Sequence, residues 1–208
     1  MPVLVVNCDD WLGYHIVNKL LEQGYKVDGI VHSDRNDEPD EDLTMFFGRN
    51  SSFTMIPADK EKKYNIGIIA GDYDGKIKQK IEKLFVINPD KKEQRSVNHA
   101  TSCTTIKAPL LFGEWMPMNE KGIFHKNEFI PFTSEKFKES SLYVQNFTKG
   151  LLQWMKVPNL PSELHIYSSN HKREVNTKLD KNIYLRDNTP NRDHVKTVIE
   201  HYVLFKKR

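Results

Sequence analysis

The opening residues of the chain alternate between short apolar runs and one amphipathic segment. The continuous apolar run Val3-Leu4-Val5-Val6 is typical of a strand buried on both faces of a parallel sheet. Apolar side chains then recur at helical spacing from Ile16 to Leu21, and Gly24 follows as a residue that favours helix termination. A second short apolar segment covers residues 26–31. This spacing predicts a βαβ unit, the start of a doubly wound sheet.

Four further apolar segments predict strands later in the chain, which makes six parallel strands in all. They cover residues 53–56, 66–70, 84–87 and 105–110. Residues 75–83 predict a charged surface helix, because Ile77 and Ile81 are four positions apart and face the core together. The lysines of this segment are most simply a solvated face, with phosphate binding as the alternative. They are Lys76, Lys78, Lys80 and Lys83.

The second half of the chain has a weaker pattern. Residues 117–140 predict loops and short strands, 143–155 a helix and 164–167 a strand. Apolar residues between Val195 and Val203 predict a C-terminal amphipathic helix. The fold class is therefore α/β. We predict a Rossmann-like doubly wound parallel sheet over residues 1–115 and a small C-terminal α/β lobe over 116–208, interleaved with the sheet rather than independent.

Composition narrows the classes of function. The 208 residues are 38% hydrophobic and 28% charged, which excludes a membrane protein and argues against wholesale disorder. The net charge of +3 is interspersed and too small to indicate a nucleic-acid surface. Two cysteines without a CxxC pair, and no signal-peptide pattern, indicate a cytoplasmic protein. The eight histidines lack zinc-binding spacing, so we expect no metal site.

The turn after the first strand stands where a Rossmann domain binds a pyrophosphate. Free backbone N–H groups and the helix dipole favour an anion there, and glycines let the backbone approach the phosphates. The turn reads Asn7-Cys8-Asp9-Asp10-Trp11-Leu12-Gly13 and keeps one glycine, which also permits close packing of helix on strand. Asp9 or Asp10 is most simply a helix N-cap. Trp11 either fills an empty adenosine cleft or packs as part of the core.

Several segments occur in the order of one known family. They are residues 3–27, 50–59 and 64–71, the run 106–115 that ends Phe112-Gly113-Glu114-Trp115, and the helix start Tyr143-Val144-Gln145-Asn146. With these segments the chain resembles the extended short-chain dehydrogenase/reductases. Within them it is most similar to NAD-dependent nucleotide-sugar epimerases and dehydratases of the UDP-uronic acid epimerase type, in a degenerate and shortened form. The family's Tyr-Val-Asp-Asp motif has both acids replaced by amides here.

The resemblance implies a dinucleotide cleft at defined positions. These positions are Asn7, Asp10, Trp11, Leu12, Gly13, Asp34, Asp59 and Ala70. The family's turn has three glycines, and Asn7 and Asp10 stand at two of those places. NAD or NADP is the cofactor that the resemblance implies, but we expect none to bind. A carboxylate about 4 Å from a phosphate charge is repelled by roughly 4 kcal/mol at an effective dielectric of 20.

The family's catalytic tyrosine, with a lysine four residues later, lies between the fifth and sixth strands. Residues 89–103 contain no tyrosine, and their number barely suffices for a crossover, which predicts a shortened or deleted catalytic helix. The chain's only Tyr-x-x-x-Lys sequence joins Tyr202 to Lys206, and Tyr202 fits the apolar face of the last helix. We therefore assign no catalytic residue.

Three functions stay open at this point. The first is a non-catalytic relative of the nucleotide-sugar epimerases and dehydratases that binds a protein partner or a nucleotide-like ligand. The second is an active epimerase, dehydratase or reductase with unconventional catalytic residues. The third is a structural or assembly protein. The loss of both the glycine turn and the tyrosine–lysine pair favours the first.

Overall fold

The computed structural model describes residues 1–31, 47–73, 75–89, 100–168, 182–185, 187 and 189–206. The chain forms two compact units, and each is assembled from two separate segments. The first unit consists of Met1–Lys107 and Leu152–Leu164, and the second of Ala108–Leu151 and His165–Arg208.

The strands of the principal sheet are β1 (Val3–Val6), β2 (Val27–Ile30), β3 (Phe53–Met55), β4 (Lys63–Ala70), β5 (Lys80–Ile87), β6 (Ala100–Lys107), β12 (Glu163–Ser168) and β13 (Asn182–Leu185). Their order is β3-β2-β1-β4-β5-β6-β12-β13. The pairs from β3 to β6 are all parallel. The order reverses between β1 and β4, and this switch point is where open α/β sheets bind ligands. The predicted Rossmann-like parallel sheet is confirmed.

The first helix, α1 (Trp11–Glu22), packs its apolar face into the first unit and ends where the sequence predicts. Ile16, Val17 and Leu20 are at most 1% exposed. Gly24 has φ 78°, a left-handed conformation that glycine adopts without strain. Its N–H donates to the Leu21 carbonyl at 2.9 Å, and the Tyr25 N–H donates to the Leu20 carbonyl at 3.0 Å. These two bonds form a Schellman motif that terminates α1.

The described residues between β4 and β5, 71–73 and 75–79, contain no helix, and 80–83 begin β5, so the predicted helix over 75–83 is wrong. Burial alternates along this segment: Ile77, Gln79 and Ile81 are buried, whereas the lysines between them are exposed. A period of two is the signature of extended chain. The inward orientation of Ile77 and Ile81 is confirmed, because a spacing of four positions satisfies a strand as well as a helix. Ile77 joins a buried cluster with residues of β1, β4 and β5.

The second unit contains smaller elements. Its strands are β7 (Leu110–Phe112), β8 (Met118–Asn119), β9 (Gly122–His125), β10 (Glu128–Pro131) and β11 (Ser141–Tyr143), and its helices are α2 (Glu135–Ser140), the start of α3 (Val144–Lys156) and α4 (Asn191–Lys206). β7 pairs with β11 in parallel, and β8, β9 and β10 form an antiparallel sheet. The two predicted helices of this half and its short strands are confirmed, but α2 is a helix within residues 117–140, for which only loops and short strands were predicted. In the part of the chain that the structure describes, no helix has the length and apolarity needed to cross a membrane.

Candidate functional site

Asn7 follows β1 directly and lies at the switch point of the sheet. Its backbone has φ 59°, a left-handed conformation that asparagine tolerates better than most residues, and its side chain is buried. The Nδ2 group donates to the carbonyl of Ala70 at 2.8 Å and to that of Asp72 at 2.7 Å. Both carbonyls lie at the carboxyl end of the neighbouring β4. The amide of Asn7 therefore crosses the crevice at a position where the resembled family has a glycine.

Gly13 is required by packing inside this turn. A Cβ atom at this position would lie 1.9 Å from the carbonyl oxygen of Asn7 and 2.9 Å from the Cα of Cys8. No side chain fits at these distances, so helix α1 approaches β1 only with a glycine here. This confirms the packing role predicted for Gly13. Because the requirement holds without any ligand, the glycine carries no information about cofactor binding. Leu12 beside it is buried on α1.

Two carboxylates precede the first turn of α1. Asp10 occupies the N-cap position, with its carbonyl accepting the Tyr14 N–H at 2.7 Å, but its carboxylate makes no capping hydrogen bond. Asp9 is 2% exposed. Burial, and then the charge of Asp9, raises the pKa of the Cys8 thiol to about 12. The amino end of α1, which favours an anion, therefore already lies beside negative charge from the chain itself.

Trp11 begins α1 and is half-buried. The edge of its ring faces His15, with the centroids 6.1 Å apart. Aromatic contacts continue from His15 to Tyr14 at 5.4 Å, then to Phe47 at 5.9 Å and from Phe47 to Phe53 at 4.4 Å. These contacts favour the alternative in which Trp11 packs as part of the core. Filling of an adenosine cleft stays a prediction.

The remaining predicted cleft residues are dispersed. Ala70 ends β4, is buried, and offers its carbonyl to Asn7. Asp59 is exposed in the connection that follows β3. Asp34 lies outside the described residues. Within the described ranges, no three side chains of His, Cys, Asp or Glu are grouped so as to hold a metal ion.

The connection between β5 and β6 is short for a catalytic helix. The two strands pair in parallel from Ile81 opposite Ala100 to Ile87 opposite Ile106. An eight-residue strand is about 26 Å long, and a helix of that length needs roughly 18 residues. Only residues 88–99 join the strands, and 90–99 lie outside the described part of the chain. The chain is therefore too short here for a crossover helix of full strand length.

A polar cluster in the second unit was not found by sequence reasoning. The Tyr143 hydroxyl donates to Glu114 Oε1 at 2.6 Å, and its ring stacks on His194 with centroids 4.1 Å apart. His194 Nε2 lies 2.8 Å from Asp187 Oδ2. We call these four residues the tyrosine cluster. Burial, and then the hydrogen bond to Glu114, raises the pKa of Tyr143 above its usual value, so its phenol stays protonated at neutral pH.

Asn146 connects the family-like motif to this cluster. Its Nδ2 group donates to Asp187 Oδ2, and Asp187 Oδ1 accepts the N–H of Thr189 at 2.8 Å. In the resembled motif an acid stands at the position of Asn146. Here the carboxylate comes from Asp187, 41 residues further along the chain. The motif at 143–146 was a usable signal for the location, but no local pattern marks Asp187 as its partner.

Comparisons with known proteins define the fold and nothing finer. No family model and no curated protein matches this sequence. Among solved structures, yeast methylglyoxal/isovaleraldehyde reductase Gre2, complexed with NADPH, aligns over 100% of both chains with a TM-score of 0.57 and 14% identity. Bacillus anthracis dTDP-glucose 4,6-dehydratase, in complex with NAD, has a TM-score of 0.60 and 7% identity over 100% of this chain and 98% of its own.

A UDP-galactose 4-epimerase has a TM-score of 0.58 and 11% identity over 98% of this chain and 99% of its own. These structures include a reductase, a dehydratase and an epimerase, so the likeness does not select one reaction. At 7 to 14% identity it establishes the fold alone. The fold that the resemblance to the extended short-chain dehydrogenase/reductases implies is confirmed at that level.

Proposed function

We propose that this chain is a non-catalytic relative of the NAD(P)-dependent epimerases, dehydratases and reductases, and that it acts by binding a protein partner or a nucleotide-like ligand in the cytoplasm. One observation carries the proposal. The Asn7 side chain crosses the crevice between β1 and β4, and its Nδ2 group donates to the carbonyls of Ala70 and Asp72 at the carboxyl end of β4. Opening the crevice would leave the buried Ala70 carbonyl without this donor, a loss of about 1 to 3 kcal/mol.

Charge at the turn supports the same conclusion. Asp9 and Asp10 lie beside the amino end of α1, where a dinucleotide would place two phosphate charges. Repulsion of roughly 4 kcal/mol from one such carboxylate removes about half of the −8 kcal/mol that corresponds to micromolar affinity. A dinucleotide would have to overcome this repulsion in addition to displacing Asn7.

The catalytic groups also argue for binding rather than turnover. The family's tyrosine acts as a phenolate that is stabilised by a nearby lysine. The sequence of residues 88–99 contains no tyrosine. Tyr143, the buried tyrosine of the tyrosine cluster, has a raised pKa and a carboxylate as its partner, which is the opposite electrostatic environment. An active enzyme would need a different acid–base pair.

Calorimetric titration with NAD⁺, NADP⁺ and UDP-glucuronate tests the proposal. The wild type, the single variants Asn7→Gly and Asp10→Gly, and the double variant are compared at one salt concentration. Glu120→Gly, which removes an exposed charge in the second unit, is the matched control. We expect no binding by the wild type or the control, and binding of NAD⁺ or NADP⁺ by the double variant, because it regains the family's three glycines.

Two results separate the alternatives. Micromolar binding of a dinucleotide by the wild type would contradict the closure of the crevice by Asn7, and turnover of UDP-glucuronate followed by NMR would then overturn the non-catalytic assignment. No binding by either the wild type or the double variant would mean that residues outside the turn also close the crevice. The function would in that case lie with a protein partner rather than with a nucleotide-like ligand in this crevice.

A further inference from the structure

The amino edge of the same sheet carries a pocket lined by lysines. Its volume is about 490 Å³, and its lining residues are Glu61, Lys62, Lys63, Lys78 and Lys80. We call it the lysine pocket. Lys63 begins β4 and Ala70 ends it, so the pocket lies about 23 Å from the crevice at a rise of 3.3 Å per residue. All of these residues belong to the first unit.

Like charges face each other across two strands at this pocket. Lys63 of β4 and Lys80 of β5 are register partners in the parallel pairing, and both are exposed. Adjacent strands are about 4.8 Å apart, and like charges directly opposite destabilise a sheet. In the described part of the chain, Lys63, Lys78 and Lys80 have no ion-pair partner. The pocket therefore holds uncompensated positive charge at a cost in stability.

The fourth lysine of the pocket, Lys62, is held by a buried carboxylate. Lys62 Nζ lies 2.5 Å from Asp28 Oδ2, and the Tyr64 hydroxyl donates to the same oxygen at 2.5 Å. Asp28 is buried in β2, and its charge already faces these two groups. Among the described residues of the lining, Glu61 is the single acid, against four lysines. The field in the pocket is therefore positive.

The connection before β5 keeps two of the lysines on the pocket side. Gln79 is 1% exposed, and its Nε2 group donates to the carbonyl of Lys60 at 2.8 Å. Because side chains alternate along extended chain, the inward Gln79 forces Lys78 and Lys80 outward together. Backbone bonds at Lys78 and Lys80 tie this segment to Ala58 and Lys62. The side of the segment on which Lys78 and Lys80 lie is thus set by the buried Gln79 and by these backbone bonds.

We propose that the lysine pocket binds a compact, multiply phosphorylated small molecule. Ammonium groups recognise phosphate as point charges, and a bound polyanion would relieve the repulsion between Lys63 and Lys80. The volume lies in the range of small-molecule sites. The described residues of the lining offer no aromatic face on which a base could stack, because the ring of Tyr64 is 1% exposed. Recognition therefore rests on the phosphate groups rather than on a nucleobase.

Calorimetric titration with tripolyphosphate and with inositol hexakisphosphate tests this site. The double variant Lys63→Gln/Lys80→Gln is compared with Lys63→Arg/Lys80→Arg, which keeps the charge, and with Lys121→Gln/Lys149→Gln in the second unit. The last pair is exposed, lies outside the pocket, and removes the same charge. We expect binding by the wild type, about tenfold or greater weakening in the pocket Gln variant, and retention in the other two. Affinity should fall as salt rises.

The source of the phosphates is distinguished by a vesicle arm. Phosphatidylcholine vesicles with a minor fraction of phosphatidylinositol bisphosphate are sedimented with the wild type and the pocket Gln variant. Binding lost only in that variant would assign a lipid headgroup, whereas binding to the free phosphates alone would assign a soluble ligand. Equal weakening by Lys121→Gln/Lys149→Gln, or no binding by the wild type at low salt, would overturn the proposal. Thermal melts verify that each variant folds.

Discussion

The two edges of the first unit's sheet carry opposite charge. At the carboxyl edge, Asn7 donates to backbone carbonyls, and carboxylates lie beside the amino end of α1. At the amino edge, lysines of β4 and β5 face each other without an acidic partner among the described residues. In the resembled family the carboxyl edge takes the phosphate-bearing ligand. Here Asn7 bridges that edge beside Asp9 and Asp10, and the lysine pocket lies at the other edge.

One strand connects these two environments. β4 runs from the exposed Lys63 to the buried Ala70, and its central residues Ile68 and Ile69 are fully buried. Burial of such apolar residues stabilises the sheet, at about 25 cal/mol per Å² of apolar surface. The residues at the strand ends contribute much less to this burial, so their chemistry can change while the fold stays the same. Fold likeness is therefore a poor guide to the function of either edge.

The largest effect is expected from Gly13→Ala at the carboxyl edge. The added Cβ would lie 1.9 Å from the carbonyl oxygen of Asn7, so backbone has to move. We expect a loss of about 3 kcal/mol or more in the free energy of unfolding, measured by urea denaturation. Gly48→Ala is the control, because nothing lies within 4 Å of its Cβ position. A loss below about 1 kcal/mol for Gly13→Ala would show that the turn is looser than the geometry requires.

The next effect concerns the buried acid at the amino edge. Asp28→Ala removes the partner of Lys62 and the acceptor of the Tyr64 hydroxyl. We expect a loss of about 3 kcal/mol in the free energy of unfolding, because a buried hydroxyl and a half-buried cation lose their partner. Glu82→Ala, an exposed acid of β5, should change stability by less than about 0.5 kcal/mol. Comparable losses in the two variants would contradict the assigned role of Asp28.

The sequence predicts the strands of this sheet well where burial is complete. β1 and the carboxyl halves of β4 and β5 are continuous apolar runs that are buried on both faces, and they appear where predicted. β6 begins five residues earlier than its apolar signal, because residues 100–104 are mostly polar and exposed. The helix predicted over 75–83 failed because Ile77 and Ile81 fit two periods. The buried Gln79 between them fits an extended chain and not a helix with an exposed polar face. Its burial could not be predicted from the sequence, because glutamine is usually exposed.

The location of the candidate site could be predicted from the sequence, but the hydrogen bonds within it could not. The positions of Asn7 and Gly13 follow from the turn after the first strand. The acceptors of the Asn7 amide lie 63 and 65 residues away, and tertiary structure alone brings them together. The tyrosine cluster has the same character, since Glu114, Tyr143 and Asp187 come from separate segments. Contacts between side chains so far apart in the sequence leave no local sequence pattern from which they could be predicted.

The acidity of the carboxyl edge can be tested through Cys8. The folded state holds the thiol proton more tightly than the unfolded chain, since burial and Asp9 raise the Cys8 pKa from 9.0 to about 12. The resulting stabilisation is complete below pH 9 and is lost as the pH rises towards 12. Above pH 9, the free energy of unfolding of the wild type should fall by up to about 1.4 kcal/mol per pH unit more steeply than that of Cys8→Ala. Denaturation at several pH values measures both slopes.

Two results would bear on this comparison. Parallel slopes for the wild type and Cys8→Ala would mean that the thiol ionises in the folded state as readily as in the unfolded one. Asp9→Asn in the wild-type background should make the loss begin at the same pH but extend over a smaller range, because the second cause of the raised pKa is removed. The tyrosines titrate in both proteins and therefore cancel in the difference.

The smallest effect belongs to the lysine pair of the amino edge. Lys63→Gln/Lys80→Gln removes two like charges that face each other across β4 and β5, so the free energy of unfolding should rise by about 0.5 kcal/mol at low salt. High salt should abolish the gain, because the repulsion it relieves is screened at an exposed site. Lys121→Gln/Lys149→Gln, an exposed pair in the second unit, should leave stability unchanged. A gain that persists at high salt would point to strand propensity rather than charge, and would weaken the contrast between the two edges of the sheet.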